Sequence, residues 1–408
     1  MDAARSYLRW LFGTMLAASL AVAAFVLLVD PYGLYALADV PGINRLKPPV
    51  ERYRNEIRLA RAERVRPELV ITGNSRMEAG VDPDGPALAG SGAFNLALAG
   101  TSMEMAIDQL RQLNRAGIAP RHIIAGAEFV DALTATPVRQ VTLPQPLPAH
   151  EPGWRERLWQ ADALYSFASL RDALATVALQ HDADGASATL RGHNPLRQYH
   201  RIAALEGYAA LFGQRAAENT RKLAATADGG LDVAAVHGQL AALLDAAAAG
   251  RADVAVDVVI YPYHAQLLAL FEQARLWPRF EAWKELLVTE AEAARRRHPR
   301  ARIRVVDFSG FGPIQCEPIP APGSRNATRW YWEAGHFKPA LGDTMMARLL
   351  GSGGAAPAFG QPLDLHTLAD NRARIAQERA ACAARAPRLF DDVARQVAQA
   401  RLRMAARS

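Results

Sequence analysis

Cysteine is nearly absent from this chain, since 408 residues contain only Cys316 and Cys382. Two cysteines cannot supply the paired spacings of a structural zinc site, so we expect no metal site, and no pattern indicates another cofactor. In an oxidising compartment the two thiols could form a disulfide, and elsewhere they would stay separate. Their spacing alone leaves both outcomes open.

A large excess of charge of one sign is also absent. The chain has 47 basic and 41 acidic residues, a net charge of +6, and its arginines are spread rather than clustered. Nucleic-acid-binding proteins carry a concentrated basic patch or stripe. We therefore expect no nucleic-acid partner.

Charge is missing altogether from one segment, Leu11 to Val29. Nineteen helical residues extend about 28 Å, close to the thickness of the hydrocarbon core, which predicts a transmembrane anchor whose partner is the lipid bilayer. A cleaved signal peptide is the alternative, but the best small-residue cleavage site, Ala36-Leu37-Ala38, lies well beyond the run. Because Arg5 and Arg9 precede the span, we expect a cytoplasmic N-terminus and a periplasmic or otherwise extracytoplasmic main body.

Five short apolar segments beyond the anchor read as strands separated by helical segments. This alternation predicts a three-layer α/β domain with a parallel sheet, whose strands all end at one edge. The expected strands are Glu68–Thr72, Ala93–Leu96, His122–Ala127, Val254–Ile260 and Arg302–Phe308. The expected organisation is an anchor (1–30), a linker and first helix (31–67), the α/β domain (68–136 and 253–350), a helical insertion (137–252) and a C-terminal linker with a basic helix (351–408).

The first strand ends at the motif Gly73-Asn74-Ser75-Arg76. A serine at such an exit is a candidate nucleophile or part of a phosphate cradle. Near the other end of the chain, Glu333 precedes His336 by three residues, a spacing at which a carboxylate can orient an imidazole that acts as a base. Alternatively, Glu333 and His336 only cap the last helix, expected over His336–Leu350. His264 after the fourth strand is a rival base, a substrate-binding residue, or only a hydrogen-bonded histidine in a tyrosine-rich loop.

These motifs resemble those of SGNH/GDSL-type hydrolases: GNSR after the first strand, the glycine of NLALAGTS after the second, and EAGH before the last helix. The chain looks closest to membrane-anchored bacterial relatives with one transmembrane helix and a helical insertion. The resemblance implies a flavodoxin-like sheet of about five strands, with Ser75 as nucleophile and His336 as base. It further implies that Glu333 orients His336, where the family usually has Asp, and that the N–H groups of Ser75 and Gly100 form an oxyanion hole.

The chain departs from the family at its third block, Gly-x-Asn-Asp. Here the block reads Gly126-Ala127-Glu128-Phe129, so the side-chain amide that completes the oxyanion hole is missing. Removing one such donor costs about 10²–10³-fold in rate. Asn74 and Asn95 are the candidates to replace it, and Glu128 would repel an oxyanion unless it points away.

The expected function is an anchored envelope hydrolase or acyltransferase acting on ester groups. The resemblance and the envelope location imply O-acyl groups of a polysaccharide, or an acyl donor, as substrate. The alternative is a non-catalytic scaffold or carbohydrate-binding module of an envelope assembly that keeps the fold. An anion cradle for a phosphorylated ligand is a further alternative, although it leaves the His336 arrangement unexplained. The sequence identifies no particular envelope protein as a partner.

Overall fold

The computed structural model describes residues 2–134, 158–182, 185, 187–226, 229–351 and 359–405. The chain divides into two compact units, one formed by residues 1–61 and 149–190, the other by 62–148 and 191–408. Residues 159–179 of the expected helical insertion belong to the first unit, and residues 197–250 belong to the second. Residues 137–157 of that insertion lie outside the described residues.

The described part of the chain forms helices and strands in the following order. The helices are α1 (Asp2–Val29), α2 (Arg54–Val65), α3 (Ser75–Gly80), α4 (Met103–Arg115), α5 (Trp159–Leu164), α6 (Phe167–Leu179), α7 (Arg197–Glu206), α8 (Tyr208–Thr226), α9 (Val233–Gly250), α10 (Ala265–Gln273), α11 (Trp277–Arg297), α12 (Pro339–Leu350), α13 (Leu368–Arg385) and α14 (Pro387–Ala405). The strands are β1 (Leu69–Thr72), β2 (Ala93–Asn95), β3 (His122–Ala127), β4 (Ala255–Ile260), β5 (Arg302–Asp307), β6 (Tyr331–Glu333), β7 (His336–Phe337) and β8 (Gln361–Leu363).

The second unit is built on a six-stranded sheet in the order β2-β1-β3-β4-β5-β8. The first five strands are parallel, and β8 joins β5 in the antiparallel direction. Strands covered on both faces by helices are apolar throughout, and β1, β2 and most of β4 are buried. The predicted α/β class and parallel sheet are confirmed. The sixth strand was not predicted, and its Pro362 is suited only to an edge position.

The crossovers of the sheet fix where its helices lie. Helices α4, α9 and α11 lie in the connections from β2 to β3, from β3 to β4 and from β4 to β5, which all run in the same direction across the sheet. Helix α9 packs between α4 and α11. The connection from β1 to β2, which contains α3, moves in the opposite direction. Because parallel crossovers are right-handed, α3 lies on the other face of the sheet. The carboxyl ends of β1 to β5 share one edge, where the candidate site is found.

The C-terminal region packs back on the second unit. Helix α14 contacts α8 and α10. A disulfide joins Cys316, in the loop after β5, to Cys382 on α13. The basic helix expected within residues 351–408 is instead two helices, because Pro387 cannot continue the hydrogen-bonding ladder of the first.

The first unit contains the N-terminal apolar helix. Helix α1 includes the predicted span 11–29 and is long and apolar enough to cross a membrane. It ends at Val29, whose carbonyl accepts a hydrogen bond from the Lys47 ammonium at 3.0 Å. The carboxylate of the next residue, Asp30, accepts hydrogen bonds from three following N–H groups. Helix α9 is also long and apolar enough to cross a membrane, but it packs between two helices of the second unit.

Candidate active site

Ser75 lies where the chain turns out of β1. Gly73 has φ +141°, and a Cβ there would come within 2.8 Å of the Tyr261 hydroxyl, so both conformation and space require glycine. The Asn74 side chain caps α3 by accepting the N–H of Arg76 at 3.1 Å. Ser75 is therefore the first residue of α3, at the sheet edge where ligands of open α/β sheets bind.

His336 is presented by a small antiparallel ribbon. Strands β6 and β7 pair Glu333 directly with His336 across a turn made by Ala334 and Gly335. The expectation that His336 begins the closing helix is wrong. Helix α12 begins at Pro339, a residue favoured at the first helical position because it needs no hydrogen-bond donor there.

Ser75, His336 and Glu333 form a continuous chain of hydrogen bonds. His336 Nε2 lies 2.8 Å from Ser75 Oγ although 261 positions separate the two residues. His336 Nδ1 contacts Glu333 Oε1, and Glu333 Oε2 accepts the N–H of Gly335 at 2.8 Å. A carboxylate at Nδ1 holds the imidazole with Nε2 free to take the serine proton.

Glu333 is only 1 % exposed. Burial alone raises the pKa of a carboxyl, but the charge and hydrogen bond of His336, the Gly335 N–H and the charge of Arg215 lower the pKa of Glu333 below its ordinary value. The carboxylate is thus ionised at neutral pH. It can stabilise an imidazolium formed when His336 accepts a proton.

Glu128, at the end of β3, accepts hydrogen bonds from four groups. The Tyr263 hydroxyl and the Val130 N–H bind Oε1 at 2.9 and 3.2 Å, while the Asn74 amide, at 3.1 Å, and the Arg76 guanidinium bind Oε2. Its side chain is only 6 % exposed. The negative charge that we expected to repel an oxyanion is therefore paired with Arg76.

Arg76 and Tyr263 were missed as site residues by the sequence reasoning. The Arg76 guanidinium lies 5.3 Å from the ring centre of Tyr263 and 5.5 Å from that of Tyr261, and it is charged at all relevant pH values. Burial raises the pKa of Tyr263 well above its ordinary value, so its hydroxyl stays a donor. The signal for Arg76 was its position directly after the candidate serine. Nothing in the sequence placed Tyr263 against Glu128.

Ser75 and Gly100 line one cleft of about 640 Å³, together with residues of α4 and with Asn219 and Lys222 of α8. Gly100 has φ +76°. Within the described part of the chain, the backbone N–H groups of Ser75 and Gly100 donate no hydrogen bond. Two amides without partners thus border the cleft into which the serine opens.

Asn95 does not face this cleft. Its side chain is fully buried, and its amide donates to the carbonyls of Met77 and Val81 at 2.8 and 2.9 Å. These bonds hold the end of α3. The Asn74 amide is engaged with Glu128, so neither asparagine is free to replace the missing oxyanion donor.

His264 is fully buried and has both ring nitrogens occupied. Nε2 donates to the Glu317 carbonyl at 2.8 Å, and Nδ1 accepts the N–H of Gln266 at 3.1 Å, which caps α10. Burial lowers the pKa of His264 to about 4, so it is neutral at physiological pH. The distances therefore identify His336, and not His264, as the imidazole beside Ser75.

Tyr199 is a third residue that the sequence reasoning missed, and it packs against the imidazole of His336. The ring of Tyr199 on α7 meets that of His336 edge-on, with centres 5.8 Å apart, and Arg215 of α8 donates to the Tyr199 hydroxyl. Burial and the charge of Glu333 raise the pKa of Tyr199 to about 12. Residues of the expected helical insertion thus form part of the site, which periodicity alone could not indicate.

Across the described residues, no three His, Cys, Asp or Glu side chains are grouped so that they could hold a metal ion. No family model, curated protein or solved structure matches the chain. The geometry of the site is therefore what indicates a function for this chain.

Proposed function

We propose that this chain is a membrane-anchored serine hydrolase or acyltransferase of the SGNH/GDSL type, acting on ester groups outside the cytoplasm. The observation that carries the proposal is the hydrogen-bond chain from Glu333 through His336 to Ser75 at the edge of an open cleft. Nucleophile, base and orienting carboxylate are recognised by such geometry and not by their order in the sequence.

The sheet supports the same proposal. The order 2-1-3-4-5 of its first five strands is that of flavodoxin-like folds, in which ligands bind where connections diverge between the first and third strands. Ser75 follows β1 and Glu128 follows β3, so both residues lie at this position. Together with the GNSR and EAGH motifs, this placement favours an SGNH-type site over a phosphate cradle, which would not need His336.

In the proposed reaction, Ser75 Oγ attacks the carbonyl carbon of an ester while its proton passes to His336 Nε2. The ionised Glu333 stabilises the imidazolium, and the N–H groups of Ser75 and Gly100 donate to the oxyanion. The intermediate collapses to an acyl-serine as the imidazolium returns its proton to the leaving alcohol. Water, or a sugar hydroxyl in a transferase, then loses a proton to His336 and attacks the acyl carbon. The bond from the acyl carbon to Ser75 Oγ breaks as the imidazolium returns that proton to Oγ, which releases the acid or the acylated sugar and restores Ser75.

The location rests on three features. Helix α1 is long enough to anchor the chain, Arg5 and Arg9 at its start favour a cytoplasmic N-terminus, and the Cys316–Cys382 disulfide suits an oxidising compartment. A cleft lined by Thr101, Lys222 and other polar side chains suits a hydroxyl-rich substrate such as an O-acylated polysaccharide.

One observation favours the alternative of a non-catalytic scaffold or carbohydrate-binding module. Glu128 occupies the place of the amide that completes the oxyanion hole in the family. With two backbone donors instead of three groups, we expect turnover about 10²–10³-fold below that of a complete site.

The deciding experiment is labelling of the full chain in detergent with a fluorophosphonate, which reacts with activated serines. We expect labelling of the unmodified chain and none of Ser75→Ala. Ser102→Ala is the matched control, because Ser102 lines the same cleft and makes no capping hydrogen bond with its side chain, so labelling should persist. A folded chain that is not labelled would favour the scaffold over the enzyme.

If Ser75 is labelled, partitioning of the acyl group separates the two enzyme classes. A hydrolase releases the acid from a simple acetyl ester at a rate that sugar acceptors leave unchanged. A transferase forms an acylated sugar at the expense of the free acid.

A further inference from the structure

Helices α5 and α6 of the first unit form a hairpin that lies along the anchor helix. Leu164, Ala173 and Val177 of the hairpin pack with Val22, Phe25, Val26 and Val29 in the second half of α1. The turn between the two helices is formed by Tyr165 and Ser166. We refer to residues 158–179 as the anchor-side hairpin.

The tip of this hairpin points back along α1 toward its N-terminus. At the tip, the Tyr165 hydroxyl donates to Ser19 Oγ at 2.8 Å. At the open end, the Trp159 ring lies 6.1 Å from that of Tyr53, and Asp172 accepts the hydroxyl of Tyr32, beyond the C-terminal end of α1, at 2.8 Å. Ser19 precedes Val29 by ten residues, or about 15 Å of helix. This is about half of the hydrocarbon thickness of a bilayer.

The chemistry of the tip suits lipid. The eight residues from Ala163 to Leu170 carry no charge, whereas Asp162 and Arg171 bound them on the two sides. Phe167 and Tyr165 are 93 % and 54 % exposed, which is unusual for aromatic residues facing water.

The polar groups of the turn are paired within the hairpin, as a lipid environment requires. Ser166 Oγ accepts the N–H of Ser169 at 3.1 Å, and Ser169 Oγ accepts the N–H of Ser166 at 2.9 Å. The charges lie toward the open end: Asp162 pairs with Arg52, and Arg171 is one helical turn nearer the surface than Phe167, from where its long side chain can extend to the headgroups.

We propose that the anchor-side hairpin dips its aromatic tip, Tyr165 to Phe167, into the bilayer leaflet beside α1, where lipid acyl chains cover it. The exposed apolar patch is continuous with the surface of the anchor helix, so the same lipid phase that receives α1 receives the tip. The inference rests on the anchoring part of the proposed function and is independent of the chemistry at Ser75. It implies two membrane contacts for the chain, one spanning and one confined to a single leaflet.

The test places a fluorophore on single introduced cysteines of the full chain in liposomes. Both native cysteines are in a disulfide, so a thiol reagent reaches only the new site. The variants are Phe167→Cys at the tip, Leu158→Cys at the open end and Leu20→Cys on α1, all at exposed positions where substitution removes no core contact. Quenching is measured with lipids that carry a spin label in the headgroup or deep in the acyl chain.

We expect the probe at position 167 to lose more fluorescence with the deep label than with the headgroup label, as at position 20. The order should be reversed at position 158. Quenching at position 20 without quenching at 167 would overturn the hairpin proposal and leave the anchor intact. Absence of quenching at both positions would refute the anchor as well. Fluorophosphonate labelling of Ser75 in the same samples reports separately on the enzymatic proposal.

Discussion

Two groups of polar side chains meet at the edge of the sheet and differ in how their hydrogen bonds end. Glu333, His336 and Ser75 form an open chain that finishes on a hydroxyl in the cleft. Around Glu128, the donors from Arg76 and Tyr263 form a closed network in which each carboxylate oxygen is shared by two donors. Both groups contain a buried glutamate. The first includes the proposed nucleophile, Ser75, and the second includes its two neighbours in the chain, Asn74 and Arg76.

The difference shows that burial of an ionised group does not by itself mark a reactive site. In the open chain, the carboxylate acts on an imidazole whose other nitrogen can exchange a proton with Ser75. In the closed network, the donors neutralise the carboxylate and fix the conformation of Asn74 and Arg76 around α3. Under the proposed function, proton transfer belongs to the first group, while the second group positions the strand exit.

The largest expected effect comes from breaking the open chain at its imidazole. In His336→Ala, the second-order rate of fluorophosphonate labelling at Ser75 should fall by about 10²–10⁴-fold, because general base assistance is lost. Removing the imidazole also takes from the buried Glu333 its side-chain hydrogen-bond partner, so we expect a stability loss of about 1–3 kcal/mol, and the labelling rate is measured on the folded protein. The matched variant His264→Asn should label at nearly the normal rate. Equal losses in both variants would mean that His336 is not specifically the base.

The closed network should respond in the opposite way. In Glu128→Gln, the largely buried Arg76 loses its countercharge, and breaking a buried ion pair in this way typically destabilises a fold by about 3–5 kcal/mol. The labelling rate of the folded fraction should stay within about tenfold of normal, less than the loss of a true catalytic donor. Denaturant unfolding and labelling would be measured on the same preparation.

A surface pair supplies the control for that variant. Glu68 lies 3.8 Å from Arg121, with both side chains about two-thirds exposed. Glu68→Gln should cost less than about 1 kcal/mol, because exposed ion pairs contribute little. If Glu128→Gln proved as mild as this control yet abolished labelling, the closed network would have to be assigned to catalysis.

Much of the sheet was predictable because its strands are buried on both faces. The strand predicted over His122–Ala127 matches β3, and the other four expected strands differ from the observed ones by a single residue at one end. Strands β6, β7 and β8 were not predicted, because segments of two or three residues show no periodicity. Their existence depends on what they pair with in the folded chain.

For the site, the sequence indicated which residues to compare but not which of them interact. The three-residue spacing of Glu333 and His336 suggested an oriented imidazole. The sequence placed this pair at the start of a helix, whereas a two-residue turn between two short strands pairs them. The choice between His336 and His264 required the distance to Ser75, which depends on contacts across most of the chain. The pairing of Arg76 with Glu128 depends equally on tertiary structure, because 52 positions separate them.

One further expected effect concerns His264 and appears only on acidification. His264 has its pKa lowered to about 4 by burial, from an ordinary value of about 6.5, so at pH values between these two the unfolded chain binds a proton that the folded chain excludes. Stability is therefore fully present above pH 6.5 and is lost as the pH falls toward 4, by about 3 kcal/mol in total from this group. The variant His264→Asn places there a side chain that can still cap α10 but cannot titrate, so this part of the pH dependence should disappear. The lost hydrogen bond to the Glu317 carbonyl should cost about 1–3 kcal/mol at every pH. Denaturant midpoints at pH 7 and 4.5 measure both effects. An unchanged pH dependence in the variant would show that His264 is not neutral in the folded chain. His264 and His336 would then no longer differ in their ability to take up a proton.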